Sequence, residues 1–341
     1  MSAVGSAPRL TPVVLPARSI LPPATISMEA RTVLAESAAL PPLSRPAPHD
    51  LEGWRSAKEA SAAFWEPLVA QLLAACRCRT ETQCIGGVTS YRCTPPEPAA
   101  ATGPLYLYFH GGAFVFGAGR FALALGAKAA DDLQLTTLSV DYRTPPADPF
   151  PAALEDGFSV YRELLASAAG RPIVIGGSSA GGNLAAAVTL LIRERGLPLP
   201  AAVVLLTPEV DLTEAGDTFR TNELLDVTLK TALPECNALY AAGHPLTDPY
   251  LSPLFADFAP GFPPTLIQSG TRDLFLSNSV LIHRKLRRAG VEAELHVWEA
   301  MPHGGFGFGA VPENEEISQE VKRFIVRHCL PAGGGATRNT P

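Results

Sequence analysis

The sequence predicts an α/β fold built on a mostly parallel sheet, and three observations carry that reading. From Leu105 onward, short apolar runs take turns with amphipathic stretches of helical period. Such alternation requires strand–helix–strand crossovers, which cover a parallel sheet on both faces. The chain has 341 residues, of which 47 % are hydrophobic and 18 % charged, enough for one large globular unit with a sizeable core.

Taken in order, residues 1–48 are rich in Pro and Ala, with the pairs Pro22-Pro23 and Pro41-Pro42, and read as a loosely ordered opening. Trp54, Phe64, Trp65, Leu68, Leu72 and Leu73 fall at helical spacing within Leu51 to Ala75, a helix expected to break near Pro67. Ile85-Gly-Gly-Val88 has the form of a hairpin turn, and Pro95 to Pro104 of a loop. Strands are expected at Leu105 to Phe109, Leu135 to Val140, Ile173 to Ile175, Val203 to Leu206, Thr265 to Gln268 and Glu292 to Val297. Helices are expected at Phe121 to Leu133, Pro151 to Ala168, Asn183 to Arg195 (closed by Gly196), Ser277 to Ala289 and Glu313 to His328. Asp211 to Pro253 breaks the rhythm and reads as an insertion over one edge, and the Gly-rich tail of residues 331–341 as disordered.

Composition narrows the function. Lys plus Arg number 27 against 33 Asp plus Glu, for a net charge of −6, and no basic run stands out. Nucleic acid and anionic membranes are thereby disfavoured as partners. No apolar run approaches the roughly 18 residues that cross a bilayer. Met1 to Ile20 carries prolines at 8, 12 and 16 and has no continuous apolar core, so it does not read as a signal peptide. The expectation is a soluble cytoplasmic protein with its six cysteines reduced. With no Cys-x-x-Cys pair and no His at zinc-finger spacing, no metal site is expected. A Cys84–Cys93 bridge across the hairpin is the one pairing left open.

The chemistry concentrates in four segments. In Arg171-Pro-Ile-Val-Ile-Gly-Gly-Ser-Ser-Ala-Gly-Gly-Asn183 a strand runs through small residues into a helix. Gly177-x-Ser179-x-Gly181 fits the sharp turn that lifts a nucleophilic Ser out of a sheet edge. Read one residue earlier, Ser178 would be central, but Ala180 then fills the second glycine position, so Ser179 is the candidate. His110-Gly111-Gly112-Ala113 follows the strand Leu105 to Phe109 and can offer free backbone N–H groups to a developing oxyanion. Ala180, just after the nucleophile, would add another. A mere Gly/Ser-rich turn is the bland alternative for each segment, but the two support one another. A phosphate cradle is disfavoured because no Walker-type lysine follows.

A serine nucleophile needs a base and an acid, in the chain order Ser, then Asp or Glu, then His. His303, in Met301-Pro-His-Gly-Gly-Phe306, follows a predicted strand as the base should. His283 and His328 fall in helices, His296 in a strand and His244 in the insertion. Asp273, in Ser269-Gly-Thr-Arg-Asp-Leu-Phe275, follows another strand end and is the candidate acid, with Asp248 and Glu299 as rivals.

These segments together resemble the hormone-sensitive-lipase family of bacterial esterases. So do Asp141-Tyr-Arg143, Phe150-Pro-Ala-Ala153 and Asp248-Pro-Tyr-Leu-Ser-Pro253, and the likeness spans roughly residues 50–328. The resemblance implies the α/β-hydrolase fold, with an eight-stranded sheet in residues 81–210 and 254–330. A helical cap would come from residues 49–80 and 211–253. It also implies cofactor-free hydrolysis of short- to medium-chain carboxylic esters through Ser179, His303 and Asp273, with Gly111, Gly112, Ala113 and Ala180 supplying the oxyanion hole. Ala113 stands where the family commonly has a third glycine, and Ser178 where it commonly has Asp. Gly270 to Ser277 and His283 to Arg287 also look like monoterpene ε-lactone hydrolases. Acyl transfer to an alcohol would use the same triad, and a non-catalytic ligand-binding protein on this fold is the rival from another class. Trp54, Phe64, Trp65, Phe114 and Phe116 are candidates for an apolar pocket. A small-molecule ester or lactone is the expected partner, and the family includes monomers and homodimers.

Overall fold

The computed structural model describes residues 12–96, 103–258 and 261–329. Gly86 and Gly87, at φ of 58° and 83°, supply the left-handed turn that folds Arg79–Ile85 (β1) back on Val88–Thr94 (β2). The crossover strands follow: Leu105–Phe109 (β3), Thr136–Val140 (β4), Ile173–Ser178 (β5), Ala202–Leu206 (β6), Thr265–Gly270 (β7) and Ala293–Trp298 (β8). They form one eight-stranded sheet in the order β1-β2-β4-β3-β5-β6-β7-β8. The pairings of β1 with β2 and of β2 with β4 are antiparallel, and the rest are parallel.

Side-chain alternation decides which helix covers which face. Leu105, Leu107 and Phe109 of β3 join Ile173 and Ile175 of β5 in the larger core, under Ala152–Ser167 (α4) and Ala180–Glu194 (α5). Tyr106 and Tyr108 point the other way and share a second cluster with Val321, Phe324 and Ile325 of the last helix, Pro312–Cys329 (α9). Arg120–Leu133 (α3) lies on that second face, and Leu276–Arg288 (α8) on the first.

Two expectations are corrected and one open question is closed. The opening segment carries a helix, Met28–Ala38 (α1), whose N-cap Ser27 donates from both N and Oγ to the Glu313 carboxylate, at 2.6 and 2.7 Å. Its packed apolar face is Ala30, Val33 and Leu34, too thin a stripe to read among prolines. Leu51–Ala75 (α2) runs unbroken through Pro67, because Pro67 and Ala63, whose carbonyl loses its partner, are both exposed. Cys84 pairs with Thr89 and Cys93 with Thr80, so the hairpin register keeps the two thiols apart and both are free. Most of the expected loop 95–104 and the whole tail 331–341 lie outside the described residues.

The 211–253 insertion, with the short helices Thr218–Thr221 (α6) and Pro234–Ala241 (α7), lies against the loops that leave β7 and β8. Segments from the chain's start lie against it in turn. Arg45 donates to Thr231 Oγ1 and the Ala232 carbonyl, and Lys230 to the Ala38 and Leu40 carbonyls. Among the described residues, no helix is long and apolar enough to cross a membrane. Leu107, fully buried in a central strand, sets the scale of core packing. Leu107→Ala is expected to cost about 2–5 kcal/mol, read as a lower denaturant midpoint at unchanged slope.

Candidate active site

Ser179 sits between β5 and α5 at φ 58° and ψ −122°, a conformation a non-glycine residue holds only when its surroundings enforce it. The enforcement is visible in its neighbours. A Cβ on Gly181 would lie 2.0 Å from the Phe109 carbonyl oxygen, and one on Gly177 would lie 2.3 Å from that of Gly181. Ser178 still belongs to β5 and pairs with Leu206 of β6, so the turn presents Ser179 alone.

His303 comes from the loop after β8, and Asp273 from the loop after β7. Ser179 Oγ lies 2.9 Å from His303 Nε2, and His303 Nδ1 lies 3.0 Å from Asp273 Oδ1. All three side chains are buried. Asp273 also accepts from Ser269 Oγ at 2.6 Å and from the Phe275 N–H at 2.9 Å, which fixes the carboxylate plane. The two loops touch where Gly270 meets Met301, since a Cβ on Gly270 would fall 2.0 Å from the Met301 carbonyl oxygen. Burial by itself would lower the His303 pKa. The hydrogen bond and charge of Asp273 outweigh it, with smaller help from Asp226 and Glu209, and the imidazole is held above its ordinary value.

The turn after β3 lies against the nucleophile: a Cβ on Gly111 would come 3.4 Å from Ser179 Cβ. Gly112 and Ala113 both have positive φ, 127° and 51°. Among the described residues, the N–H groups of Gly111, Gly112, Ala113 and Ala180 donate to no carbonyl or side chain. His110 anchors this turn from beneath. Burial lowers its pKa and keeps it neutral, its Nδ1–H donates to the Gly111 carbonyl at 2.8 Å, and its ring stacks on Tyr142 at 4.1 Å. The Tyr142 hydroxyl closes the arrangement by donating to the His110 carbonyl at 2.8 Å.

The rivals lie elsewhere. Asp248 accepts from the Tyr250 N–H, and His244 packs on the edge of Phe150. His283 faces the Ala293 carbonyl, His296 faces Glu294 and His328 faces Glu292. Of the candidate pocket aromatics, Phe114 is buried and stacked on Tyr240, and Trp54 is buried beside Phe116. Phe64 is 69 % exposed on α2, so it faces solvent, with Trp65 packed between it and Phe121.

Two buried carboxyl groups escaped the sequence reading. Asp226, in the insertion, accepts at Oδ2 from the backbone N–H of Leu274 at 2.8 Å and of His303 itself at 3.1 Å. Its Oδ1 accepts from the N–H groups of Thr228 and Leu229. Burial and the neighbouring Asp273 charge raise its pKa. Glu209 is fully buried after β6, and burial together with Glu214 pushes it up to about 8. Glu209 follows Thr207-Pro208 just beyond a strand end, a signal that could have drawn attention to it, whereas Leu224-Leu-Asp-Val227 gives no hint of Asp226.

Comparison with known proteins shows which proteins the chain is similar to. Residues 106–307 match the family model described as the alpha/beta hydrolase fold. An acetyl-hydrolase of Streptomyces hygroscopicus is 34 % identical over 244 residues, covering 70 % of this chain and 81 % of that protein. An esterase of Acinetobacter venetianus is 33 % identical over 235 residues, covering 66 % and 75 %. Among solved structures, an esterase named E25 superposes with a TM-score of 0.87 at 33 % identity, over 93 % of this chain and 99 % of its own. A hormone-sensitive lipase from a metagenome library gives 0.78 at 31 % identity, over 89 % and 99 %.

The contact of Gly270 with the Met301 backbone generates a test. Gly270→Ala is expected to push the Asp273 and His303 loops apart, costing about 1–3 kcal/mol of stability. The low-field imidazole N–H signal of a His–Asp pair should disappear from the proton NMR spectrum of this variant.

Proposed function

We propose that this chain, which belongs to the α/β-hydrolase fold family and is a carboxylic ester hydrolase, is a serine esterase for short- to medium-chain esters. The observation that carries the reading is the hydrogen-bonded line Ser179–His303–Asp273, at 2.9 and 3.0 Å, beside four backbone N–H groups with no acceptor among the described residues.

Ser179 Oγ attacks the ester carbonyl as His303 Nε2 takes its proton. The carbonyl oxygen becomes an oxyanion and accepts hydrogen bonds from N–H groups of the Gly111–Ala113 turn and of Ala180. Each such donor is typically worth about 3–4 kcal/mol in the transition state. The imidazolium hands its proton to the leaving alcohol, and the acyl group stays on Ser179. Water, deprotonated by the same His303, releases the acid. Asp273 remains ionised, holds the Nδ1–H tautomer and stabilises the imidazolium. We assign residues 49–80 and 211–253 to a cap over this site. The lactone reading rests on sequence likeness around 270–287, and the same assay tests it.

Asp226 holds the backbone of the base and of the residue after the acid, so its role is positioning. Asp226→Asn removes part of its acceptor capacity and one charge that raises the His303 pKa. The expected result is a fall in kcat of about 10–100-fold with KM nearly unchanged, since misplacement by an ångström costs on that order. Activity requires neutral His303, so it is lost as pH falls through the raised His303 pKa. In Asp226→Asn that acid limb should move to lower pH.

Hydrolysis of p-nitrophenyl esters from acetate to palmitate, with lactones in parallel, tests the main reading. Turnover should peak at short or medium chains and fall at least about 10³-fold in Ser179→Ala while the fold is kept. Wild-type turnover in Ser179→Ala, or a maximum at palmitate, would overturn it.

A further inference from the structure

We propose that Cys76, Cys78 and Asp131 form a binding site for a thiophilic divalent cation, of which zinc is the representative, where α2 passes into β1. The three residues come from two places in the chain, Cys76-Arg-Cys78 just after α2 and Asp131 in the last turn of α3. Their donor atoms, two sulfurs and a carboxylate oxygen, all lie within 4.8 Å of one another.

Two observations point to a ligand here. The Asp131 carboxylate is held by the Arg77 N–H, which donates to Oδ2 at 2.7 Å. The other oxygen, Oδ1, is buried and has no hydrogen-bond partner among the described residues. Beside it stand the two sulfurs, Cys76 Sγ and Cys78 Sγ, 2.9 Å apart and both within 4.8 Å of the carboxylate, so three donors of the right chemistry converge on one point. A backbone N–H that orients a carboxylate while its other oxygen stays unpaired is the outer support that metal-binding carboxylates use.

A disulfide would join the two sulfurs but leave Asp131 Oδ1 unpaired. Binding balances as two thiols plus one divalent cation giving a dithiolate complex and two protons, with no change of oxidation state. Cys76 and Asp131 are half-exposed, which leaves an entry path and room for water at the fourth position. An ion there would tie the end of α2 to α3. The site owes nothing to Ser179, so it stands or falls independently of the esterase reading.

The test is titration of the reduced, chelator-treated full-length protein with cobalt(II), the spectroscopic substitute for zinc. A near-ultraviolet thiolate-to-cobalt charge-transfer band is expected, saturating at about one ion per chain and abolished by excess zinc. The band should persist in Cys84→Ala and Ser179→Ala, vanish in Cys76→Ala and in Cys78→Ala, and need at least tenfold more cobalt in Asp131→Asn. Absence of a band in the reduced wild type would overturn the proposal, as would a band that survives both Cys76→Ala and Cys78→Ala. So would mass spectrometry of the protein as purified, if Cys76 and Cys78 accept an alkylating reagent only after a disulfide reductant.

Discussion

The packing of Gly181 against the end of β3 is the constraint from which the site follows. With 2.0 Å between a notional Cβ and the Phe109 carbonyl oxygen, helix α5 starts where only backbone fits. That contact fixes the register of the elbow against the following turn, so Ser179 and the Gly111–Ala113 N–H groups face the same small volume. The strain of Ser179 at φ 58° is borne by a helix buried along almost its whole length and by two parallel neighbours of β5. A single methyl group at position 181 would separate the nucleophile from its donors while leaving most of the core intact.

A second constraint is electrostatic. One imidazole is surrounded by Asp273, Asp226 and Glu209, all inside the protein. Three full negative charges in so small a volume would repel strongly at low dielectric. The arrangement divides the burden. Asp273 is paired with His303 and two further donors, Asp226 is spread over four backbone N–H groups, and Glu209 has a pKa raised to about 8. Burial and Glu214 thus disfavour the charged form of Glu209, and the two aspartates act on His303 more strongly than Glu209 does.

Much of this was legible in the sequence because the relevant signals are local. The Gly-x-Ser-x-Gly turn, the glycine pair after Phe109 and the loops carrying Asp273 and His303 each declare themselves within a few residues. Chain order then links them. What stayed hidden depends on partners far away. Helix α1 is held by Glu313, 286 positions on, and Asp226 looks like any acidic residue until the β7 and β8 loops arrive beside it. Pro67 misled because a helix-breaking rule assumes a packed interior turn, and here both Pro67 and Ala63 are exposed. The Cys84–Cys93 pairing was left open because register, which decides pairing across a hairpin, is not written locally, and register gives each cysteine a threonine partner.

The stitching of the chain's opening to its last helix bears on the timing of biosynthesis. Ser27 waits for Glu313, and Arg272 reaches back to the Leu21 carbonyl. During synthesis from the N-terminus, at about 5–20 residues per second, the opening helix meets Lys230 first and Glu313 only some eighty residues later. The sheet through β7 can assemble before then, with the elbow formed but His303 still unmade. The nascent chain thus passes through its most reactive region without a functioning base.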